Sequence, residues 1–276
     1  MRYLPLTQND RREMLARIGV KDIDALFRDV PAKARLDGPV DLPPHMGEIE
    51  VERALGAIAA KNVAAGSVPF FLGCGAYRHH VPASVDHIIQ RSEFLTSYTP
   101  YQPEIAQGTL QYLFEFQSMV AGLTGLEVAN ASLYDGSTAA AEAVRMAARI
   151  TRREKTLIAG GLNPQYTETI RTTCGLPEAA IIAQPPHVGG ADAITLLIDD
   201  NTSAVVVQTP SLFGDLIDLA PIAAAAHAKG ALLIVVVPEI VSLGLIEAPG
   251  AQGADIVVAE GQSIGNALNF GGPYVG

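Results

Sequence analysis

The pattern of hydrophobic and polar positions divides the chain into three segments. Apolar residues recur at helical spacing among charged ones in Asn9–Ile18, in Lys21–Val30 and again from Gly47. These three stretches predict a helical arm over residues 1–65. Residues 66–107 show no sustained period and contain several prolines, tyrosines and histidines, so we expect a loop-rich segment that supplies side chains to an active site or an interface.

From residue 108 to residue 276 the pattern becomes regular, because predicted helices alternate with short apolar strands. The predicted helices are TLQYLFEFQSMVAGLTG, DGSTAAAEAVRMAARI, NPQYTETIRTTCG, ADAITLLID and LAPIAAAAHAKG. The predicted strands are KTLIAG, AAIIAQ, SAVVVQTP, ALLIVVV and DIVVAE. Strands that are apolar throughout are typical of a parallel sheet covered on both faces. We therefore predict an α/β fold with three layers, α/β/α, and a mainly parallel sheet.

Composition and charge narrow the possible partners. The formal net charge is −10 and the pI about 5.0, which argues against binding to nucleic acid or to an anionic membrane surface. The longest apolar run, Ala231–Val237, is far shorter than the roughly 20 residues that span a bilayer. Because the N-terminal stretch lacks the apolar core of a signal peptide, we expect a cytoplasmic protein. Cys74 and Cys174 are expected to be free thiols.

One candidate anion site lies at the start of the helix DGSTAAAEA. Gly136, Ser137 and Thr138 combine unpaired backbone N–H groups, hydroxyl donors and the positive end of the helix dipole, which together suit a phosphate. The simpler alternative is that Asp135 or Ser137 only caps the helix. The residues alone favour the cap.

The string TSYTPYQPE is the most distinctive stretch of the chain. Its prolines fix the backbone, so less entropy is lost when its polar side chains are presented to a ligand. The candidate pocket or interface residues here are Tyr98, Tyr101, Gln102 and Glu104. A packed loop between domains is an equally good interpretation.

His79 and His80, in RHHVP, are candidate pocket residues rather than metal ligands. The chain has no HxxxH or HExxH spacing, and its two cysteines are distant from both histidines. We expect no metal site. The sequence also lacks a GxSxG elbow, a Walker loop and a GxGxxG turn between a strand and a helix. Hydrolase, nucleotidase and dinucleotide-binding functions therefore lose their usual support.

Taken together, these strings resemble the glycine cleavage system P protein, glycine dehydrogenase (decarboxylating), in particular its lysine-lacking first subunit. The matching strings are YLPLTQNDRREMLARIGVKDIDALFRDVP, GAYRHHVPASV, RSEFLTSYTPYQPEIAQGTLQYLFEFQSMVAGLTGLEVANASLYDGSTAAAEA and FGGPYVG. The resemblance covers essentially the whole chain. It implies the fold of type I pyridoxal-phosphate-dependent transferases and assembly with a homologous second subunit. In such complexes glycine loses CO2 and the aminomethyl group passes to the lipoyl arm of H protein.

The resemblance also predicts which residue types should occupy two positions of the cofactor site. A type I fold places an acid at the end of a central strand, yet Pro238 occupies that position, and Glu239 would point away if the strand continued. In the family's cofactor-bearing half, a lysine lies about eight residues after the acid that opens the next strand. Counting from Asp255 reaches Ser263. Lys229 ends a helix in an ordinary position.

This count implies that pyridoxal 5'-phosphate is bound by a lysine-bearing partner subunit, with no covalent cofactor and no assigned catalytic residue on this chain. The pocket residues of the TSYTPYQPE loop would then project into the partner's active site. Related first subunits are longer, so we expect the chain to be C-terminally truncated. Two alternatives are a noncatalytic structural partner of a pyridoxal-phosphate enzyme and a small-molecule-binding domain that uses Gly136–Thr138 for a free phosphate ligand.

Overall fold

The computed structural model of the chain describes residues 6–36, 38–95, 98–189, 191, 193–270, 272 and 274–276. It divides into two units, Met1–Asn62 and Val63–Gly276, and we describe each by itself. The three-part division expected from the sequence, at residues 65 and 107, stays a prediction.

The first unit contains the two helices α1, Gln8–Ile18, and α2, Glu48–Ala59. Thr7 caps α1 through a reciprocal pair of hydrogen bonds with Asp10, and Gly19 ends the helix in a left-handed conformation at φ 84°. Both helices agree with the sequence pattern.

The predicted helix over Lys21–Val30 is wrong, because only the 3-10 turn Asp24–Phe27 forms there. The carboxylate of Asp22 accepts a hydrogen bond from the Ala25 amide at 2.8 Å, which favours a local turn over a continued helix.

The second unit begins with a segment that the sequence predicts to be mostly loop. Two short helices interrupt it: α3, Ala83–Ile89, which directly follows Pro82, and α4, Ser92–Leu95. The long helix α5, Gln107–Thr124, then ends at Gly125 in a left-handed conformation. The sequence pattern did not reveal α3, because a seven-residue helix is too short to show a clear period.

The described residues of the second unit form one five-stranded parallel sheet, in the order β2-β1-β3-β4-β5. Its strands are β1 Lys155–Ile158, β2 Ile181–Ala183, β3 Thr202–Gln208, β4 Leu232–Val237 and β5 Ile256–Ala259. The remaining helices are α6 Gly136–Thr151, α7 Pro164–Thr173 and α8 Ala220–Ala228. All five strands match the sequence prediction.

Helices cover both faces of this sheet. The apolar faces of α6 and α7 pack against alternate strand residues such as Val206 and Ile234, while α8 packs against the intervening residues such as Val205 and Leu233. The predicted three-layer α/β/α architecture is therefore confirmed. The predicted helix ADAITLLID is instead the 3-10 turn Ile194–Leu197, and its Asp192 lies outside the described residues.

Burial falls towards one edge of the sheet. Every residue of the central strand β3 is buried, whereas only Val258 is buried in the apolar edge strand β5. Within the described part of the chain, no helix combines the length and the apolar character needed to cross a membrane.

Candidate functional site

The carboxyl ends of the parallel strands and the amino end of α6 meet at one edge of the sheet. A Cβ atom at Gly136, the first residue of α6, would lie 2.5 Å from the Tyr166 hydroxyl and 3.2 Å from the Ala259 carbonyl oxygen. Only glycine lets the helix begin this close to the end of β5. Ligands of open α/β sheets bind outside the carboxyl ends of the strands, so this edge is the candidate functional site.

The side chains of Ser263, Glu239 and His79 form a hydrogen-bonded row at this edge. The Ser263 hydroxyl donates to one carboxylate oxygen of Glu239 at 2.6 Å. The other oxygen lies 2.8 Å from Nε2 of His79. Ser263 is buried, whereas Glu239 and His79 retain partial exposure. Because the serine donates to a carboxylate and not to the imidazole, this row lacks the serine–histidine hydrogen bond through which a histidine activates a serine nucleophile.

The direction of the Glu239 side chain depends on where β4 ends. Strand alternation would turn this side chain away only if the strand continued, but β4 ends at Val237 and Pro238 follows. Glu239 then caps the 3-10 turn Ile240–Gly244 by accepting the Val241 amide at 3.2 Å. Its carboxylate therefore points towards Ser263.

Both lysines of the second unit lie at the opposite, amino edge of the sheet. Lys155 opens β1, and its Nζ donates to Asp199 at 2.8 Å and to the Leu197 carbonyl at 3.0 Å. Lys229 follows α8 and forms an ion pair with Asp200 at 3.1 Å. Neither amine is available at the Ser263 position.

The amino end of α6 is capped by Asp135. Its carboxylate accepts the Thr138 amide at 2.6 Å and the hydroxyls of Ser137 and Thr138, both at 2.9 Å. Burial acts to raise the pKa of Asp135, but these hydrogen bonds outweigh it, so the pKa lies below its ordinary value.

Glu260 also lies at this edge, and the sequence analysis did not identify it as a candidate site residue. It is buried, and its carboxylate accepts the amides of Gly136 at 2.9 Å, Gln262 at 3.0 Å and Val275 at 2.8 Å. Burial raises the pKa of Glu260, and the Asp135 carboxylate adds to that effect, although the three hydrogen bonds oppose it. The sequence signal is an acid directly after an apolar strand, since a carboxylate buried at that point needs several donors.

Two carboxylates therefore already occupy the helix end that was a candidate phosphate site. Glu260 binds the Gly136 amide, and Asp135 binds Thr138 together with the Ser137 hydroxyl. Burial and the two nearby carboxylates raise the pKa of the Tyr166 phenol, which also lies against this end. A phosphate would meet negative charge here. Binding at Gly136, Ser137 and Thr138 stays a prediction, and the capping alternative agrees with the observed bonds.

The candidate loop side chains are exposed. Tyr98 and Tyr101 are 87% and 79% exposed, and Gln102 and Glu104 also lie in solvent. The Gln102 carbonyl accepts the Ile105 and Ala106 amides, which fixes the turn before α5. Thr96 and Ser97 of the same string lie outside the described residues. These four side chains therefore point outward. Within the described residues, none of them is hydrogen-bonded to the row of Ser263, Glu239 and His79.

The two candidate histidines have different surroundings. His79 contacts Glu239, whereas His80 is exposed. Among the residues that the structure describes, no three His, Cys, Asp or Glu side chains come close enough together to bind a metal ion. Cys174 is buried and Cys74 is exposed, and both are free thiols.

The three-layer sheet architecture and the position of α6 at the carboxyl edge of the sheet together indicate the class of protein. A parallel sheet between helices, with a helix beginning where the strands end, agrees with the type I pyridoxal-phosphate-dependent transferase-like fold that the sequence predicts. Comparison with solved structures supports this fold. The crystal structure of mouse CSAD in apo form superposes on 88% of the chain and 55% of its own at a TM-score of 0.59, with 16% identity.

The chain belongs to the glycine cleavage system P-protein family, whose family model matches residues 1–276. It is 67% identical over its full length to the probable glycine dehydrogenase (decarboxylating) subunit 1 of Rhodospirillum centenum, and 68% identical to that of Azorhizobium caulinodans. A crystal structure of glycine decarboxylase (P-protein) of the glycine cleavage system, in inhibitor-bound form, covers the whole chain at 43% identity and a TM-score of 0.84. The chain spans 62% of the length of each of these three proteins.

Proposed function

We propose that this chain is the lysine-lacking part of glycine decarboxylase and acts with a homologous, lysine-bearing subunit. The assembly decarboxylates glycine and transfers the aminomethyl group to the lipoyl group of H protein. Family membership and the names of the relatives support this proposal. The cytoplasmic location stays a prediction from the sequence.

The hydrogen bond between Ser263 and Glu239 is the observation on which the proposal rests. Ser263 stands where the resemblance places the cofactor-binding lysine, and a carboxylate of this chain already binds its hydroxyl. The described residues of this edge do not fit pyridoxal phosphate, because none of them carries an amine and carboxylates occupy the end of α6. We therefore place the cofactor, which supplies the electron sink for decarboxylation, on the partner subunit.

The role of this chain would be to complete the partner's active site. An exposed tyrosine on a proline-stiffened loop can enter a neighbouring pocket with little loss of conformational entropy. Tyr98 and Tyr101 meet this description through their exposure, and Gln102 and Glu104 add an amide and a carboxylate next to them. These four side chains are our candidates for contacts with glycine or with the partner.

The first experiment locates the cofactor. The isolated chain and the lysine-bearing subunit are each incubated with pyridoxal phosphate, reduced with borohydride and analysed by mass spectrometry. We expect a specific adduct on the lysine-bearing subunit alone. An adduct of equal occupancy on the isolated chain would disprove the placement of the cofactor.

The second experiment tests the activity. Labelled glycine is supplied to each subunit separately and to their mixture, in the presence of lipoylated H protein. We expect release of labelled CO2 from the mixture only. Release from the lysine-bearing subunit at the full rate without this chain would show that the chain is not part of the active unit.

A further inference from the structure

Four arginines line one cavity at the amino edge of the sheet. The cavity has a volume of about 410 Å³ and lies between the last turns of α6, the residues that follow α6 and the turn 174–176 after α7. Its arginines are Arg145, Arg149, Arg152 and Arg153. The candidate functional site is at the other edge, because α6 ends where the Thr151 hydroxyl donates to Ser203 at the start of β3, at 3.0 Å. A cavity of this volume suits a small organic ligand.

Three of the four guanidinium groups have no partner in the described part of the chain. The side chains of Arg145, Arg149 and Arg152 are exposed, and they form neither a hydrogen bond nor an ion pair with any described residue. Arg153 differs, because its Nη1 donates to two backbone carbonyls at 3.1 and 2.7 Å. One cation is therefore held in place by the protein, and the other three can bind a ligand.

The cavity is positively charged although the chain as a whole is acidic. The formal net charge of the chain is −10, yet residues 145–153 contain four arginines and no acid. Glu154 is the only acidic side chain among the described residues that line the cavity. The ends of α6 and α7 each add about half a negative charge. Roughly two positive charges therefore remain, and a phosphate monoester, which is close to a dianion at neutral pH, would balance them.

Stabilisation by the helix dipole accounts for only part of this cluster. A cation in the last turn of a helix interacts favourably with the dipole, which explains Arg149. Arg145 lies one turn earlier on the same face of α6, so its charge and that of Arg149 repel each other. Arg152 adopts a left-handed conformation at φ 57°, where glycine is the usual residue at a helix end. An anion that binds between these side chains relieves their repulsion.

The rest of the cavity lining is small and apolar. It consists of Ala148, Cys174, Gly175 and Leu176. Gly175 turns the chain after α7 with φ 73°, and Leu176 packs against the core that α6 and α7 form with the sheet. This surface can contact the organic part of a ligand while the arginines bind its phosphate, since the planar guanidinium group matches two phosphate oxygens at once.

We propose that this cavity binds a small molecule that carries a phosphate monoester. Arg145, Arg149 and Arg152 bind the phosphate oxygens, Arg153 contributes a fixed positive charge, and Leu176 contacts the organic group. The proposal does not depend on the proposed activity, because the cavity and the candidate functional site lie at opposite edges of the sheet.

The experiment is isothermal titration calorimetry of the chain with phenyl phosphate. Inorganic phosphate and phenol test the two parts of this probe separately, and a hexaglutamate peptide tests an acidic polypeptide as the alternative occupant. Arg145→Gln and Arg149→Gln each remove one cation, whereas Arg149→Lys keeps the charge and loses the planar donor group. Arg17→Gln is the matched control, because Arg17 is an exposed arginine in the last turn of α1.

We expect one phenyl phosphate to bind per chain, more tightly than inorganic phosphate or phenol. Arg145→Gln and Arg149→Gln should each weaken binding by ~10-fold or more, because each removes a charge-assisted hydrogen bond. Arg149→Lys should lie between Arg149→Gln and the unaltered chain, and Arg17→Gln should change the affinity by less than ~2-fold. Raised salt should weaken binding.

Hydrogen exchange on the unaltered chain gives a second measurement that needs no variant. Phenyl phosphate should slow amide exchange in residues 145–153 and 174–176. Absence of both heat and protection at ~10 mM phenyl phosphate would overturn the proposal. Equal weakening by Arg17→Gln would also overturn it, because the probe would then respond only to overall charge. Tighter binding of hexaglutamate than of phenyl phosphate would assign the cavity to an acidic polypeptide instead.

Discussion

The hydroxyl of Ser263 lies 2.6 Å from the carboxylate of Glu239, and this contact joins the ends of two adjacent parallel strands. Ser263 follows β5 and Glu239 follows β4, so the bond ties together the loops that close the candidate site. Glu239 is also bonded to His79, which belongs to the segment before α3. We therefore expect Ser263, which the family resemblance predicts to stand at the position of a reactive amine, to have a structural role in this chain.

Replacing Ser263 tests that role. We expect Ser263→Ala to lower the free energy of unfolding by about 1–3 kcal/mol, because Glu239 loses a charge-assisted hydrogen bond. The measurement is urea unfolding followed by circular dichroism. Ser242→Ala is a matched control, because the Ser242 hydroxyl is buried and has no hydrogen-bond partner among the described residues. If the two substitutions lower the stability equally, the Ser263–Glu239 bond does not stabilise the edge.

Much of the fold follows from local patterns in the sequence. The fully buried strand β3 and the helix α6 were predictable, because an apolar run flanked by turns and an alanine-rich stretch after Asp135 are strong local signals. The 3-10 turns Asp24–Phe27 and Ile194–Leu197 were predicted as helices, since a few apolar residues at helical spacing do not fix the length of a helix.

The site was less predictable, because its bonds join residues that are distant in the chain. The direction of Glu239 depends on where β4 ends, and alternation does not reveal that residue. Glu260 finds its partners at Gly136 and Val275, 124 and 15 positions away in sequence. Local propensity contains no information on such pairs, although an acid directly after an apolar strand indicates that partners must exist if its side chain is buried.

Removing the Glu260 side chain should therefore be more damaging than removing an exposed acid. Glu260→Ala leaves three backbone N–H groups without their acceptor, those of Gly136, Gln262 and Val275. We expect a loss of more than about 2 kcal/mol in the free energy of unfolding. Glu178→Ala, at an exposed acid, should change it by less than about 0.5 kcal/mol. Similar losses for the two substitutions would show that water replaces the carboxylate of Glu260.

Glu260 and Asp135 should also give stability opposite dependences on pH. Glu260 has a raised pKa in the folded state, so its contribution is complete below the ordinary value of 4.5 and is lost as the pH rises through the raised pKa. Asp135 has a lowered pKa, so its contribution is complete above the ordinary value of 3.8 and is lost as the pH falls through the lowered pKa.

Urea unfolding from about pH 3 to pH 7 separates the contributions of Glu260 and Asp135 to the free energy of unfolding. We expect Glu260→Gln to remove the decline in stability above pH 4.5, and Asp135→Asn, which keeps a capping side chain, to reduce the decline below pH 3.8. Unchanged slopes in both variants would mean that other groups control the pH dependence.

The tyrosines of the exposed loop distinguish an enzyme subunit from a noncatalytic structural partner. If the phenols of Tyr98 and Tyr101 reach the partner's active site, Tyr98→Phe and Tyr101→Phe in the reconstituted complex should each lower glycine decarboxylation by about 10-fold, the loss of one hydrogen bond to a charged group. The rate of CO2 release is measured together with complex assembly by size-exclusion chromatography. Tyr134→Phe is the matched control, because Tyr134 is 89% exposed but lies outside the loop. Unchanged turnover and assembly in both loop variants would exclude contact of these hydroxyls with the reaction and favour the structural role.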